Sequence, residues 1–398
     1  MLNEKEKKLI RRIDLNKGEI VHFLSKLVRS NSVNPPGDTT EIAGIVKEKL
    51  EECGSKCDLI RHDLDKPNVI ARIGEREFPR ILFNSHLDTV GTGELAMWKY
   101  DPFSAKIVDK RLYGRGSGDA KGSVSSMVIA ATKILQEEID LHGTLIVNMV
   151  SDEEVGGFKG TKYLIDKKLL NPDFAVIGEQ TKNQIAIAEK GGVEFNVLVR
   201  GKTAHASTPW EGTNAISKMM RLLIEIEERL DKKISERHHP LTPPGSINIG
   251  LINGGFKVNV VPDKCEANID RRFLPNESVD SVIKEFMDVI DEIKKGDQDL
   301  NVEVSVPFTA SAISTSPNEK RVKIAQGVCK DLQIDSKFVG YNLGCDGRFF
   351  SELQIPTIIF GPGDPRLGHA PNESISIHDV ITATKIYALL ALRTLNIN

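Results

Sequence analysis

The chain has 398 residues, more than one hydrophobic core comfortably organises, so about two domains are expected. Its 40% hydrophobic and 27% charged content is that of an ordinary globular protein, and a formal net charge of −3 gives no field that would draw nucleic acid or a membrane surface. Five scattered cysteines make no disulfide framework, no segment approaches the ~20 apolar residues of a membrane span, and the charged start MLNEKEKKLIRR lacks a signal-peptide core, so a cytoplasmic protein is expected.

In chain order, residues 17–29 and 39–52 carry apolar side chains at helical spacing, separated by the turn-rich loop SNSVNPPGD. PNVIARI and RILFNSHLDTV read as strands, the second a compact apolar run of the kind buried on both faces. GSVSSMVIAATKILQEE reads as a helix, TLIVNMV as a strand, FKGTKYLIDKKL as a helix and DFAVIGEQ as a strand. Strands alternating with helices predict an α/β catalytic domain with helices on both faces of a mixed sheet. Near 185 the style changes. IAIAEKGGVEFNVLVRG alternates, a long helix follows from Asn214, SINIGLINGG and ANIDRRF are further strands, and ESVDSVIKEFMDVIDEIKK is a second helix. That succession predicts an inserted α+β sandwich over 185–300, splitting a larger domain into 1–184 and 301–398, where a helix at 318–333, the strand IPTIIF and a last helix at 377–394 resume the first style.

Residues able to bind metal recur where predicted strands end, the edge on which open α/β sheets place their sites. His86 and Asp88 follow ILFNS, Asp119 sits in LYGRGSGDAKG, Glu153 and Glu154 follow TLIVNMVS, Glu179 follows FAVIG, and His369 follows TIIFGPGDPRLG. Taken singly each has an ordinary explanation, since an Asp before a helix is commonly an N-cap and adjacent glutamates are commonly a wet loop. Converging on one sheet edge, two imidazoles and several carboxylates would repel without a cation, and with one they form a mixed N/O shell suited to zinc. Cys53 and Cys57 could be half a metal site, but no second pair follows them.

S-H-L-D-T-V, G-R-G-S-G-D-A-K-G, S-D-E-E-V-G-G, I-G-E-Q-T, G-K-T-A-H-A-S-T-P-W-E-G-T-N-A-I and G-H-A-P-N-E resemble, in order, the motifs of the zinc amidohydrolases that include acetylornithine deacetylase, succinyl-diaminopimelate desuccinylase, aminoacylase and carboxypeptidase G. The resemblance spans nearly the whole chain, the inserted domain included. It implies two zinc ions per chain, with cobalt a possible substitute, bridged by Asp119. One ion would be held also by His86 and Glu179, the other by Glu154 and His369. It further implies that Asp88 orients His86, that Glu153 is the general base acting on a metal-bridging water, and that the peptide after Asp119 is cis. In the inserted domain it implies an oxyanion donor in His205, reaching the site of a partner subunit, a supporting role for Asn259, and a substrate-carboxylate partner in Arg272. Asp346 and Arg348, in LGCDGRFF, match a further substrate-side motif.

The implied activity is hydrolysis of the amide of an N-acyl amino acid, by a homodimer joined through the inserted lid domain. A dipeptidase or carboxypeptidase of the same family is the alternative within the enzyme class, and short peptides are then the substrates. A binding protein that kept the fold and lost catalysis is the alternative outside it, set against the competent side chain present at every ligand position. Asp152 has no assigned role.

Overall fold

The computed structural model describes residues 1–74 and 76–396 and divides into two compact units. In the first (1–187, 315–339 and 345–398), the apolar runs of the sequence become neighbouring strands of one sheet. Its order is Cys57–Arg61, Pro67–Ile73, Thr144–Val150, Arg80–His86, Phe174–Ile177 and Thr357–Ile359, and it reaches Ile185–Glu189. The last four of those six run parallel, while the first two pair antiparallel, so the sheet is mixed. Thr144–Val150 is buried throughout, and so is Arg80–His86 beyond its first residue, as central strands covered on both faces must be.

The covering helices are apolar around most of their circumference. Lys121–Gln136 and Ile377–Leu395 bury nearly every side chain, packing on each other and on the sheet. Their approach is close at Gly178, where a Cβ would stand within 2.9 Å of Ser85, Ser123 and Met127. Parallel strands share a carboxyl edge, so His86, Val150 and Ile177 all end there and deliver the residues that follow to one crevice.

The second unit comprises Ala188–Ser314 with Gly340–Gly344. Four antiparallel strands lie in the order Ser246–Gly254, Lys264–Phe273, Gly191–Arg200 and Asn301–Ala310. Inward residues at period two (Val193, Phe195, Val197 and Val199; Cys265, Ala267 and Ile269) meet the apolar stripes of helices Ala215–Ser235 and Val279–Gly296. Phe195 and Phe286 stack there with centroids 3.8 Å apart and rings inclined by 8°.

One sequence expectation needs correction, and one element goes beyond what the sequence analysis assigned. The inserted unit ends near Ser314 rather than at residue 300, because Asn301–Ala310 pairs along Gly191–Arg200, with Pro307 falling at the register shift between Ser305 and Phe308. Pairing with a strand a hundred residues away leaves no mark in local composition. The charged start, left without structure in the sequence reading, is a helix, Glu4–Leu15, closed by a capping box in which Asn3 and Glu6 satisfy each other's backbone N–H groups. No helix among the described residues is long and apolar enough to cross a membrane.

The aromatic stack makes the second unit sensitive to truncation. Phe286→Ala is expected to cost about 3–5 kcal/mol of stability, read as a lowered urea midpoint at unchanged slope. A loss below about 1 kcal/mol would mean that the stack contributes little.

Candidate metal centre

Four loops leave the carboxyl edge of the sheet, after Arg80–His86, Thr144–Val150, Phe174–Ile177 and Thr357–Ile359, each carrying part of a cluster. His86 is the last residue of its strand and is buried. Its Nδ1 lies 2.9 Å from the backbone carbonyl of Asp88, so Nδ1 carries the hydrogen in the neutral ring and Nε2 presents a lone pair. That Nε2 stands 3.2 Å from Asp119 Oδ1 and 3.7 Å from Glu179 Oε1. On the other side of Asp119, His369 Nε2 stands 3.2 Å from Oδ2 and 3.1 Å from Glu154 Oε2. Two groups of ligand atoms, His86–Asp119–Glu179 and Asp119–Glu154–His369, each lie within 4.8 Å of one another and share only Asp119. The Asp119–Ala120 peptide is cis.

The acidic triplet 152–154 is resolved by its partners. Asp152 has a left-handed φ of 79° and opens a short 3-10 turn over Glu153–Val155. Its carboxylate is buried, accepts from the Lys159 N–H at 3.1 Å and lies 3.5 Å from Lys66 Nζ. Glu154 turns one oxygen to the N–H of Val90 at 3.1 Å and the other to His369. Glu153 spends its backbone N–H on Asp88 Oδ1 at 3.2 Å, and among the described residues its carboxylate takes no hydrogen bond.

The charge balance calls for a cation. Burial pushes the Glu153 carboxyl well above the usual range; His86 opposes this, and the carboxylates of Asp346, Glu154 and Asp88 add to it. Burial does the same to Glu179, with Asp119 and the two glutamates reinforcing it. The imidazoles respond in kind. His369 is pushed up to about 10 by its hydrogen bonds to Asp119 and Glu154. His86 is raised well above its ordinary value by Asp119 and Asp88, despite the opposing effect of burial. Burial would lift Asp119 too, but the two imidazoles hold it well below the carboxylate range. A donor set that draws protons onto its imidazoles and leaves its remaining carboxyls reluctant to ionise fits divalent cations at both groups.

Asp88 meets the His86 ring at Nδ1 with its backbone carbonyl and, farther off, its carboxylate. Its backbone carbonyl, not its carboxylate, takes the His86 hydrogen; the carboxylate lies 3.6 Å from Nδ1 and accepts from Asn34 Nδ2 at 2.8 Å and from the N–H groups of Glu153 and Glu154 at 3.2 Å each. It therefore ties the His86 strand end to the glutamate turn. Arg348 is buried, donates Nη2 to the Gly156 carbonyl at 2.6 Å and steadies the same turn. Asp346 accepts from Thr161 Oγ1 at 2.5 Å.

In the second unit, His205 and Asn259 lie in exposed segments joined by a hydrogen bond from the Ala206 N–H to the Asn259 carbonyl at 3.1 Å. The Ser207 N–H donates to His205 Nδ1 at 3.2 Å, which leaves the hydrogen of the neutral ring on Nε2. Arg272 lies on the sheet face opposite the helices, 2.9 Å from Asp270, whereas Arg271 points inward and is buried.

Sequence reasoning missed Asn34, Lys66 and Glu373. Asn34 belongs to a loop read only as a turn and Lys66 to the connection before the strand Pro67–Ile73, yet Lys66 Nζ donates to the Pro36 and Gly37 carbonyls, and the Asn34 N–H donates to the Thr89 carbonyl, tying NPPG to both segments. The one available signal was an amide side chain standing directly before Pro-Pro. Glu373 lay inside the quoted G-H-A-P-N-E motif, but only its histidine offers an obvious ligand.

Residues 82–393 match the model of peptidase family M20/M25/M40. The chain is 27% identical to an N-formyl-4-amino-5-aminomethyl-2-methylpyrimidine deformylase of Halalkalibacterium halodurans (95% of this chain, 94% of that one). It is 27% identical to a succinyl-diaminopimelate desuccinylase of Pelagibacter ubique (92% and 97%) and 31% identical to an acetylornithine deacetylase of Vibrio parahaemolyticus (83% and 86%). A dinuclear metal-binding M20 peptidase of Bacillus subtilis shares the fold at a TM-score of 0.74 and 17% identity, over 96% of this chain and 99% of that one. A match to the family model over most of the chain, joined to a cluster of donors on the sheet edge, makes this protein a member of peptidase family M20/M25/M40, whose members are metal-dependent hydrolases of amide and peptide bonds.

Proposed function

We propose that the protein is a two-metal amidohydrolase that removes the acyl group from an N-acyl amino acid, in the manner of acetylornithine deacetylase or succinyl-diaminopimelate desuccinylase. The observation that carries this reading is Asp119, which turns its two oxygens to two different imidazoles, each with a carboxylate of its own. His86, Asp119 and Glu179 would hold one ion, and Asp119, Glu154 and His369 the other. Zinc suits this N/O set, with cobalt as a substitute. Bound there, the ions supply Lewis acidity, lowering the pKa of water toward ~7 and drawing charge off the amide carbonyl.

The chain's own residues do the rest. Glu153, whose carboxylate has no competing hydrogen bond, takes a proton from the attacking water and gives it to the amine nitrogen as the C–N bond breaks. One water is consumed, and a carboxylate and an amine leave. His205, with its hydrogen on Nε2, is suited to donate to the carbonyl oxygen as charge gathers there. Asn259 supports that loop, and Arg272 is the guanidinium assigned to the substrate carboxylate. We assign a homodimer to the lid, through its exposed edge strand Ser246–Gly254, and a reducing cytoplasm to the five free cysteines.

Peptide hydrolysis by a dipeptidase or carboxypeptidase uses the same machinery on the same bond, so substrate comparison decides. A panel of N-acetyl-ornithine, N-succinyl-diaminopimelate, other N-acyl amino acids and dipeptides, assayed with zinc or cobalt, is expected to show N-acyl amino acids as the preferred class. Hydrolysis of dipeptides alone would replace this reading with the peptidase one.

The two glutamates separate under mutation. Glu153→Ala is expected to retain about two ions per chain and lose turnover by about 10²–10⁴-fold or more, whereas Glu154→Ala loses metal. Metal analysis of the purified variants beside their rates checks this. Undiminished hydrolysis by Glu153→Ala would remove it as the general base.

A further inference from the structure

Behind Asp119 stands a second carboxylate that the proposed chemistry does not use. Glu373 is 1% exposed and precedes the short strand Ser374–Ser376. Its Oε2 accepts from Arg115 Nη1 at 2.7 Å and from the Gly116 N–H at 3.0 Å. Its Oε1 accepts from the Gly118 N–H at 2.8 Å and from the Asp119 N–H at 3.1 Å. All these donors belong to the stretch Arg115–Asp119, the G-R-G-S-G-D loop. The same junction is closed on the backbone, where the Gly114 N–H donates to the Glu373 carbonyl at 3.0 Å and Ser374–Ser376 pairs antiparallel with Arg111–Tyr113.

Only a carboxylate completes this cradle. Both oxygens meet two donors each, so an isosteric glutamine must turn its amide N–H₂ against one donor pair. The consequence falls on Asp119, whose peptide N–H is gripped from behind while its carboxylate reaches forward to His86 and His369. A loop with three glycines in six residues has little stiffness of its own, and a ligand that must serve two centres at once tolerates little rotation. The positive charge comes from Arg115, itself buried, with its guanidinium 5.3 Å from the Trp98 ring centroid.

We infer that Glu373 is a positioning residue that aims the bridging carboxylate: by holding the 115–119 loop it sets where the two oxygens of Asp119 point, and through them the affinity for the ion pair. It touches neither substrate nor the reacting water. The inference rests on the two-metal reading above.

Metal-free wild-type protein and Glu373→Gln are titrated with zinc, and with cobalt followed by visible absorption. The wild type is read first; if it takes up no pair of ions, the two-metal reading itself fails and this inference with it. Given a wild-type pair, Glu373→Gln is expected to fold, by circular dichroism, and to bind at least one ion about 10–100-fold more weakly, with an altered cobalt band reporting changed coordination. A folded variant with wild-type affinity and an unchanged band overturns the inference, as does one whose only defect is a lower melting temperature. If Glu373→Gln does not fold, Arg115→Met, which keeps the three backbone donors, undergoes the same titration. Weaker ion binding is expected, and either wild-type binding or failure of this variant to fold overturns the proposal.

Discussion

The constraint on which the rest of the site depends is the crowding of negative charge at one sheet edge. Asp119, Glu153, Glu154 and Glu179 all lie near His86; burial and neighbouring carboxylates raise the three glutamates, while the two imidazoles hold Asp119 down. In a buried setting such a group raises its proton affinity unless a cation or a hydrogen-bond donor compensates it. The fold supplies backbone donors to several carboxylates around the cluster. Asp88 takes the N–H groups of Glu153 and Glu154, Glu154 takes that of Val90, and Glu373 takes three from the glycine loop. The two ligand groups that share Asp119 are where a divalent ion has most to gain.

The triplet Asp152–Glu153–Glu154 shows how neighbours of like charge are kept apart. A left-handed residue followed by a 3-10 turn sends consecutive side chains in different directions, whereas continuing the strand would return the first and third to one face. Asp152 is drawn back toward Lys66, and Glu154 forward to His369. Among the described residues the Glu153 carboxylate takes no hydrogen bond, the condition in which a carboxylate keeps the proton affinity the proposed base role requires. Binding all three to metal or to cations would leave nothing to move a proton.

The sheet was legible in the sequence from its apolar runs, whereas the ligand set, Asp119 above all, was implied by the resemblance of the motifs. Parallel strands buried on both faces write continuous apolar runs, and their ends are marked when a His, Asp or Glu interrupts the run, as at His86, Glu153 and Glu179. The supporting residues carry no such mark. Asn34 and Lys66 act through contacts with segments about 50 to 90 positions away, and Glu373 reaches back about 255, so nothing in their own neighbourhoods announces them. The end of the inserted unit was misplaced on the same ground, because Asn301–Ala310 is assigned by its partner strand and not by its composition. Local pattern reports what a segment buries, whereas long-range pairing decides what it supports.

The same distinction explains why metal motifs do not choose a substrate. The donors around Asp119 act on any amide carbonyl, and selectivity must come from groups that meet the remainder of the molecule. In the lid, Arg272 is held at 2.9 Å by Asp270, so a substrate carboxylate would have to share that guanidinium or displace its partner. Sharing fixes the guanidinium in advance and lowers the ordering cost of binding; displacement would exact a desolvation cost on Asp270. If Arg272 takes the substrate carboxylate as proposed, Asp270 belongs to the account of specificity as much as Arg272 does.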